Sequence, residues 1–325
     1  MVDSTAPPEF TDVEAAAARI APYVVETPLF ENAALNENLG GRVFIKPESL
    51  QRTGSFKFRG AFNRISLIPA HERRGGVVAF SSGNHARGAS LGMTIVARKD
   101  APRAKIEGTK ALGAEVVDYD RLTDDREAIA TEIMQERGAT LVRPFDDAGI
   151  VAGQGTIGLE IARQSAARGV KLDAVLVPCS GGGVVSGIAL ALSGASPGTR
   201  AISVEPERFD GMRLSLAAGE RMSAPGGPLS MADALMAPMP GLVPFAIAKK
   251  LMTQGLVVND AELSRAVAYA ARRLKLIIEP GGSAGLAALL SGRYDVHGRS
   301  VAVVLTGGNC DFETVSACIA RAGED

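Results

Sequence analysis

Lys57 lies in the run Thr53-Gly54-Ser55-Phe56-Lys57-Phe58-Arg59-Gly60, between two phenylalanines and two residues before an arginine. Apolar surroundings and a nearby cation both disfavour an ammonium ion, which makes such a lysine usable as a nucleophile or a base. A surface lysine with a buried stem has the same neighbours, so the residue takes its meaning from its company. That company is three glycine-bearing turns: Ser81-Ser82-Gly83-Asn84-His85, Cys179-Ser180-Gly181-Gly182-Gly183-Val184 and Thr306-Gly307-Gly308-Asn309. In the second turn, consecutive residues without Cβ atoms let backbone N–H groups converge on an anion such as phosphate, and the dipole of the following helix assists. A plain tight turn is the alternative. Gly181, Gly183 and Ser186 also approximate a dinucleotide fingerprint, with Glu205 placed downstream as the ribose-binding acid. That oxidoreductase reading predicts NAD(P) binding, and it leaves Lys57 and the other two loops without a role.

Strands and helices must hold these turns. Short β-branched runs predict strands over 42–46, 76–80, 94–97, 115–119, 140–142, 174–178, 201–205 and 300–305. Longer amphipathic stretches predict helices over 12–21, 56–67, 104–112, 124–137, 151–168, 260–274 and 283–290, with Asp260 as an N-cap. Such alternation indicates an α/β protein with parallel strands. Ligands of open parallel sheets bind where strand C-termini meet helix N-termini, so three such loops suggest one extended ligand touched from several sides.

The 325 residues are 46% hydrophobic and 22% charged, enough to build one large or two medium domains. With 35 Lys and Arg against 36 Asp and Glu, the net charge is -1, which gives no field to draw in nucleic acid or an anionic membrane. The longest apolar stretches are broken by Ser and Gly well short of a ~20-residue membrane span. Residues 1–10 lack the basic and apolar regions of a signal peptide. Cys179, Cys310 and Cys318 have neither metal-like spacing nor the number for a disulfide framework, so a reducing cytoplasm is expected. Only His71, His85 and His297 are present, which leaves little material for zinc chemistry.

The segment from Lys46 through Lys57 to Ala61 resembles the lysine segment of the fold type II pyridoxal-phosphate enzymes. The branch it resembles comprises threonine/serine dehydratase, serine racemase and 3-hydroxyaspartate dehydratase. Residues 81–86, 180–183, Val204-Glu205-Pro206, Glu279-Pro280-Gly281-Gly282 and 306–309 match that branch in the same order, and the likeness spans about residues 14–312. It implies a tryptophan synthase β-like, two-domain α/β fold with open, mostly parallel sheets flanked by helices. Residues 1–78 and 146–325 would form the large cofactor domain, and 79–145 a small domain closing on substrate. A homodimer is implied by the family alone.

The resemblance also assigns roles. Lys57 would carry pyridoxal 5'-phosphate and then act as base at Cα. Ser180, Gly181, Gly182, Gly183 and Val184 would hold the phosphate. Asn84 would hydrogen-bond the ring 3-oxygen, Phe56 would pack on the ring, and Glu279 would line the cofactor site. Thr306 would meet the pyridine nitrogen. A neutral hydroxyl there does not enforce ring protonation, so elimination of a β-hydroxyl suits the site better than transamination. Ser82 would face the substrate opposite Lys57, as the second acid/base of a racemase or as an N-cap. Ser81, Ser82, Gly83, Asn84 and His85 would bind the substrate carboxylate, with the His85 ring structural.

Arg126 aligns with an arginine that reaches substrate carboxylates in racemase relatives, and a guanidinium there reads a second carboxylate bidentately. An exposed arginine paired with acidic neighbours is the alternative. Glu205, the Phe209 carbonyl and Asp210 would ligate Mg²⁺ (or Ca²⁺ or Mn²⁺), although Gly211 stands where the family has its second aspartate. The segment after Gly88 is about seven residues short, close to two helical turns at ~3.6 residues each. It predicts a weakened small domain. The short run beyond residue 309 leads one to expect no regulatory domain like that of biosynthetic threonine dehydratases. The reading is a pyridoxal-phosphate ammonia-lyase of the L-threonine/L-serine class, with 3-hydroxyaspartate dehydratase or a serine/aspartate racemase as the alternatives.

Overall fold

The computed structural model describes residues 5–80, 83–89, 94–99, 103–111, 113–120 and 123–323. Its strands are β1 (Phe30–Glu31), β2 (Arg42–Pro47), β3 (Val77–Phe80), β4 (Thr94–Arg98), β5 (Glu115–Tyr119), β6 (Thr140–Leu141), β7 (Ala174–Pro178), β8 (Arg200–Pro206), β9 (Gly255–Val258) and β10 (Ser300–Leu305). They form a six-stranded sheet of order β1-β2-β10-β7-β8-β9 and a four-stranded sheet of order β5-β4-β3-β6. The β1–β2 pair is antiparallel and the other pairings are parallel.

Continuous apolar runs such as Ala174-Val-Leu-Val-Pro178 are what a strand covered on both faces requires. Alternate residues go to opposite cores. Val43, Ile45, Leu176 and Val303 pack with Leu286 and Leu289 from the helix Ala284–Leu290. Phe44, Val175, Val177 and Val304 pack with Ile157, Ile161 and Ile188 from the helices Ala148–Ala166 and Gly183–Ala195. In the smaller sheet, Val78 and Phe80 pack with Ala130 and Ile133 of the helix Arg126–Arg137. Its other face, with Val77 and Ala79, packs with Ala61 and Ile150 and so leans on the helices Lys57–Ser66 and Ala148–Ala166.

Val303 pairs with Leu176, so β7 and β10 end level with each other at the sheet's C-terminal edge. The strand β3 starts at Val77, two residues before the expected insertion at residue 79. Asn259 caps the helix Asp260–Tyr269 in a capping box with Glu262, where Asp260 was expected as the cap. That helix then closes in a π turn over Ala270–Leu274. The helix Ala148–Ala166 begins three residues before the expected 151, because Asp147 accepts from the Ile150 N–H at 3.0 Å. The helix Asn84–Ala89 has six residues and β4 begins at Thr94; residues 90–93 of the segment expected to be short lie outside the described residues. No helix among the described residues is long and apolar enough to cross a membrane.

Candidate active site

A cavity of about 660 Å³ opens beyond the C-terminal ends of β3, β7 and β10. Lys57 reaches into it from the start of the helix Lys57–Ser66. Its Nζ donates to the Pro144 carbonyl at 2.8 Å and stands 5.3 Å from the Phe56 ring centroid. Burial of the ammonium lowers its pKa from 10.5 to about 8, and the charge of Glu279 partly opposes that shift. The expected helper, Arg59, plays no such part. It is fully buried and turned away, with its guanidinium on Glu48 at 2.8 Å and Glu160 at 2.6 Å. Lys46 joins the same network through Glu160 at 2.6 Å. This buried ion cluster anchors the segment that carries Lys57.

Ser180, Gly181, Gly182, Gly183 and Val184 line the opposite wall. Gly182 has φ of +93°, a conformation that glycine adopts without strain. A Cβ on Gly181 would run into the Phe145 ring, and one on Gly183 would stand 3.1 Å from the Phe145 Cβ. The loop is fixed from behind, since Ser180 Oγ accepts from the Ala237 N–H at 3.1 Å and Gly181 O from the Gly241 N–H at 3.0 Å. The first turn of the helix Gly183–Ala195 supplies N–H groups that have no intrahelical acceptor. A bare glycine cradle on a helix N-terminus suits a compact phosphate.

Thr306, Glu279 and Asn84 form the third wall. The Thr306 loop is strapped to the lysine segment: Phe56 N–H donates to Thr306 O at 3.1 Å, and Thr306 N–H donates to Gly282 O at 3.2 Å. Asn84 Nδ2 donates to Glu279 Oε1. Gly83 and His85 line the cavity beside them. Burial first, and then the charge of Lys57, pushes the His85 pKa from 6.5 down to about 3. The ring is therefore neutral at physiological pH. Because its Nε2 faces the Val142 carbonyl at 3.1 Å, Nε2 must carry the proton and donate. Ser81 and Ser82 lie outside the described residues. Arg126 stands at the cavity mouth, exposed, with its guanidinium 5.2 Å from the Phe80 ring centroid.

The two carboxylates expected to ligate a divalent cation, Glu205 and Asp210, both have partners within the protein. Both Glu205 oxygens accept backbone N–H groups, from Met212 at 2.9 Å and Arg213 at 2.8 Å, and so cap the helix Gly211–Ala218. Asp210 is held by the Arg213 guanidinium. Phe209 faces the cavity. Among the described residues, no group of three His, Cys, Asp or Glu side chains is placed to hold a metal. The same Glu205 contacts correct the dinucleotide alternative, since the acid meant for a ribose is buried on a helix end. Sequence reasoning missed Pro144 and Phe145. Neither has a signal of its own, because each acts through the place to which the fold brings its backbone or ring.

A lysine of lowered pKa, a phosphate-sized glycine cradle and a buried Asn–Glu–Thr wall fit pyridoxal phosphate. A profile described as "Pyridoxal-phosphate dependent enzyme" matches residues 20–307. The chain belongs to that family. It is 39% identical over 317 residues to an L-threo-3-hydroxyaspartate ammonia-lyase from Pseudomonas, covering 95% of this chain and 98% of the relative. It is 36% identical to an L-threonine ammonia-lyase from Thermotoga maritima, covering 95% of this chain and 77% of the relative. A structure of maize serine racemase superposes with a TM-score of 0.89 at 32% identity, covering 97% of each chain. The fold is thus that of the fold type II branch, and the protein is a pyridoxal-phosphate-dependent lyase by family and kin.

Proposed function

We propose that the protein dehydrates and deaminates, to a 2-oxo acid and ammonia, a β-hydroxy amino acid that carries a second carboxylate, as 3-hydroxyaspartate does. The observation behind the substrate choice is Arg126, a cation at the cavity mouth stacked on Phe80, facing the space that leads to Lys57. A guanidinium there pairs bidentately with a distal carboxylate that serine and threonine lack. The relatives named for L-threo-3-hydroxyaspartate support the same choice.

When bound, pyridoxal phosphate supplies an electron sink that stabilises negative charge at Cα. The chain's residues do the rest. The N–H groups around Ser180, Gly181, Gly182 and Gly183 hold the phosphate, and Asn84 donates to the ring 3-oxygen. Thr306 meets the ring nitrogen with a hydroxyl, while Phe56 and Glu279 complete the ring's surroundings. The Lys57 amine takes the Cα proton. With its pKa lowered to about 8, a usable fraction is neutral near pH 7–8, where an exposed lysine is almost wholly charged. The β-hydroxyl leaves as water, taking up the proton that the Lys57 amine removed from Cα. The enamine released afterwards tautomerises and takes up water, giving a 2-oxo acid and ammonia. Residues 81–85 are proposed to hold the α-carboxylate, with Ser82 opposite Lys57. The unit built on the four-stranded sheet, about residues 79–145, is proposed to close on the substrate, and the enzyme to act as a homodimer in the cytoplasm.

The test is 2-oxo acid release from L-serine, L-threonine and the 3-hydroxyaspartate isomers by cofactor-loaded protein. The expected result is oxaloacetate from a 3-hydroxyaspartate isomer, with Arg126→Ala raising KM for it at least tenfold and leaving serine turnover unchanged. Equal turnover of serine and hydroxyaspartate, or an Arg126→Ala variant of unchanged KM, would refute the second carboxylate. Enantiomer interconversion without oxo acid would point to a racemase.

A further inference from the structure

Asn309, the last residue of the Thr306 loop, has no part in the reading above. Its side chain is buried and meets Asn84 across 225 residues of sequence. Asn309 Nδ2 donates to Asn84 Oδ1 at 2.8 Å and to the Thr53 carbonyl at 2.8 Å. Asn84 Nδ2 in turn donates to Glu279 Oε1. A backbone carbonyl can only accept, and so can the carboxylate oxygen at the other end. Both amides between them are thereby fixed in polarity. Asn309 must turn its nitrogen to Asn84, and Asn84 must turn its oxygen to Asn309 and its nitrogen to Glu279. Asn84 Nδ2 carries a second hydrogen, and Asn84 lines the cavity.

Two glycines make room for this chain of amides. A Cβ on Gly54 would stand 2.5 Å from Asn309 Oδ1. A Cβ on Gly307 would run into Glu279 Oε1 and stand 3.1 Å from Asn84 Nδ2. The backbone is tied at the same place, with Gly308 N–H donating to Gly54 O at 3.0 Å and Glu279 N–H to Gly307 O at 3.0 Å. Asn84 follows β3 of the smaller sheet, while Glu279 and Asn309 belong to loops at the larger one.

We infer that Asn309 is a positioning residue that fixes the Asn84 amide so that it presents a donor, and not an acceptor, to the ring oxygen of the cofactor. The inference rests on the proposal that Asn84 binds that oxygen. An amide free to flip would set its carbonyl against an oxygen that carries negative charge, and would lose the hydrogen bond. Asn309→Asp keeps the shape but cannot donate to Asn84 Oδ1.

The experiment is a double-mutant cycle on pyridoxal phosphate binding, read by equilibrium dialysis and by the visible absorption of the loaded protein. Its members are wild type, Asn84→Ala, Asn309→Asp and the double variant. Each single variant is expected to bind about tenfold more weakly, the scale of one lost hydrogen bond. The double variant is expected to bind no more weakly than Asn84→Ala, and Asn309→Asp to shift the visible band. A residue that only supports the loop would give additive losses with an unaltered band, and that outcome overturns the inference. So does wild-type affinity in Asn309→Asp. Should that variant fail to fold, Asn309→Ala carries the same cycle. Wild-type affinity in Asn84→Ala would instead refute the placement of Asn84 on the cofactor, and the inference would fall with it.

Discussion

Lys57→Met in the cofactor-free protein should stabilise the fold, by an amount that depends on pH. The folded state lowers the Lys57 pKa from 10.5 to about 8. At ~1.4 kcal/mol per pH unit, holding this ammonium in the folded state costs about 3 kcal/mol wherever it is protonated in both states. The sign follows from proton counting. Between pH 8 and 10.5 the unfolded chain binds more protons than the folded one, so wild-type stability rises with pH across that window. The burden is complete below pH 8 and vanishes above 10.5. By this linkage it is about 3 kcal/mol at pH 6.5 and about 1.4 kcal/mol at pH 9.5. Methionine fills nearly the same volume without a charge. It does lose the bond to Pro144 O, a loss of about 1 kcal/mol that does not vary with pH. Urea unfolding at the two pH values should therefore give Lys57→Met a net gain of about 2 kcal/mol at pH 6.5 that falls by about 2 kcal/mol at pH 9.5. A variant less stable than wild type at pH 6.5, or a difference that does not change with pH, would refute the reasoning.

Glu48→Gln leaves Arg59 buried with one carboxylate in place of two, and should destabilise the protein by about 3–5 kcal/mol in urea unfolding. Gly181→Ala puts a methyl group into the Phe145 ring; its cofactor affinity should fall at least tenfold while far-UV circular dichroism is preserved. Because Glu205 and Asp210 are already held by Met212, Arg213 and its guanidinium, neither Mg²⁺ nor EDTA should move the thermal midpoint. A rise of several degrees with Mg²⁺ would contradict that account of the acidic turn.

Much of the site was legible because its chemistry is local in sequence. Glycine turns after apolar strands announce themselves, and Lys57 sits among near neighbours that identify the segment. What could not be read includes contacts between residues far apart in sequence and several elements, among them the helices Leu242–Leu251 and Phe312–Ala322. One of the two carboxylate partners of Arg59, Glu160, lies 101 residues away, and the arginine looked like a neighbour of Lys57 when it is a buried anchor. The strands β1, of two residues, and β9, of four, were also not expected. Asp260 and Asn259 are both good caps, and the choice was made by Glu262, whose side chain returns to the Asn259 N–H at 2.8 Å. Glu205 fits a metal, a ribose or a helix end equally well as a residue type. Only the two amides that reach it decide among them. Asn309 lay in view within its motif, but its link to Asn84 exists only once the loops beyond the two sheets are brought together.

Reduction of the loaded protein with borohydride, followed by peptide mass spectrometry, tests the central claim most directly. The account predicts a phosphopyridoxyl group on the Lys57 side chain and on no other lysine. A label on a different lysine, or none on a protein that retains the cofactor, would contradict it.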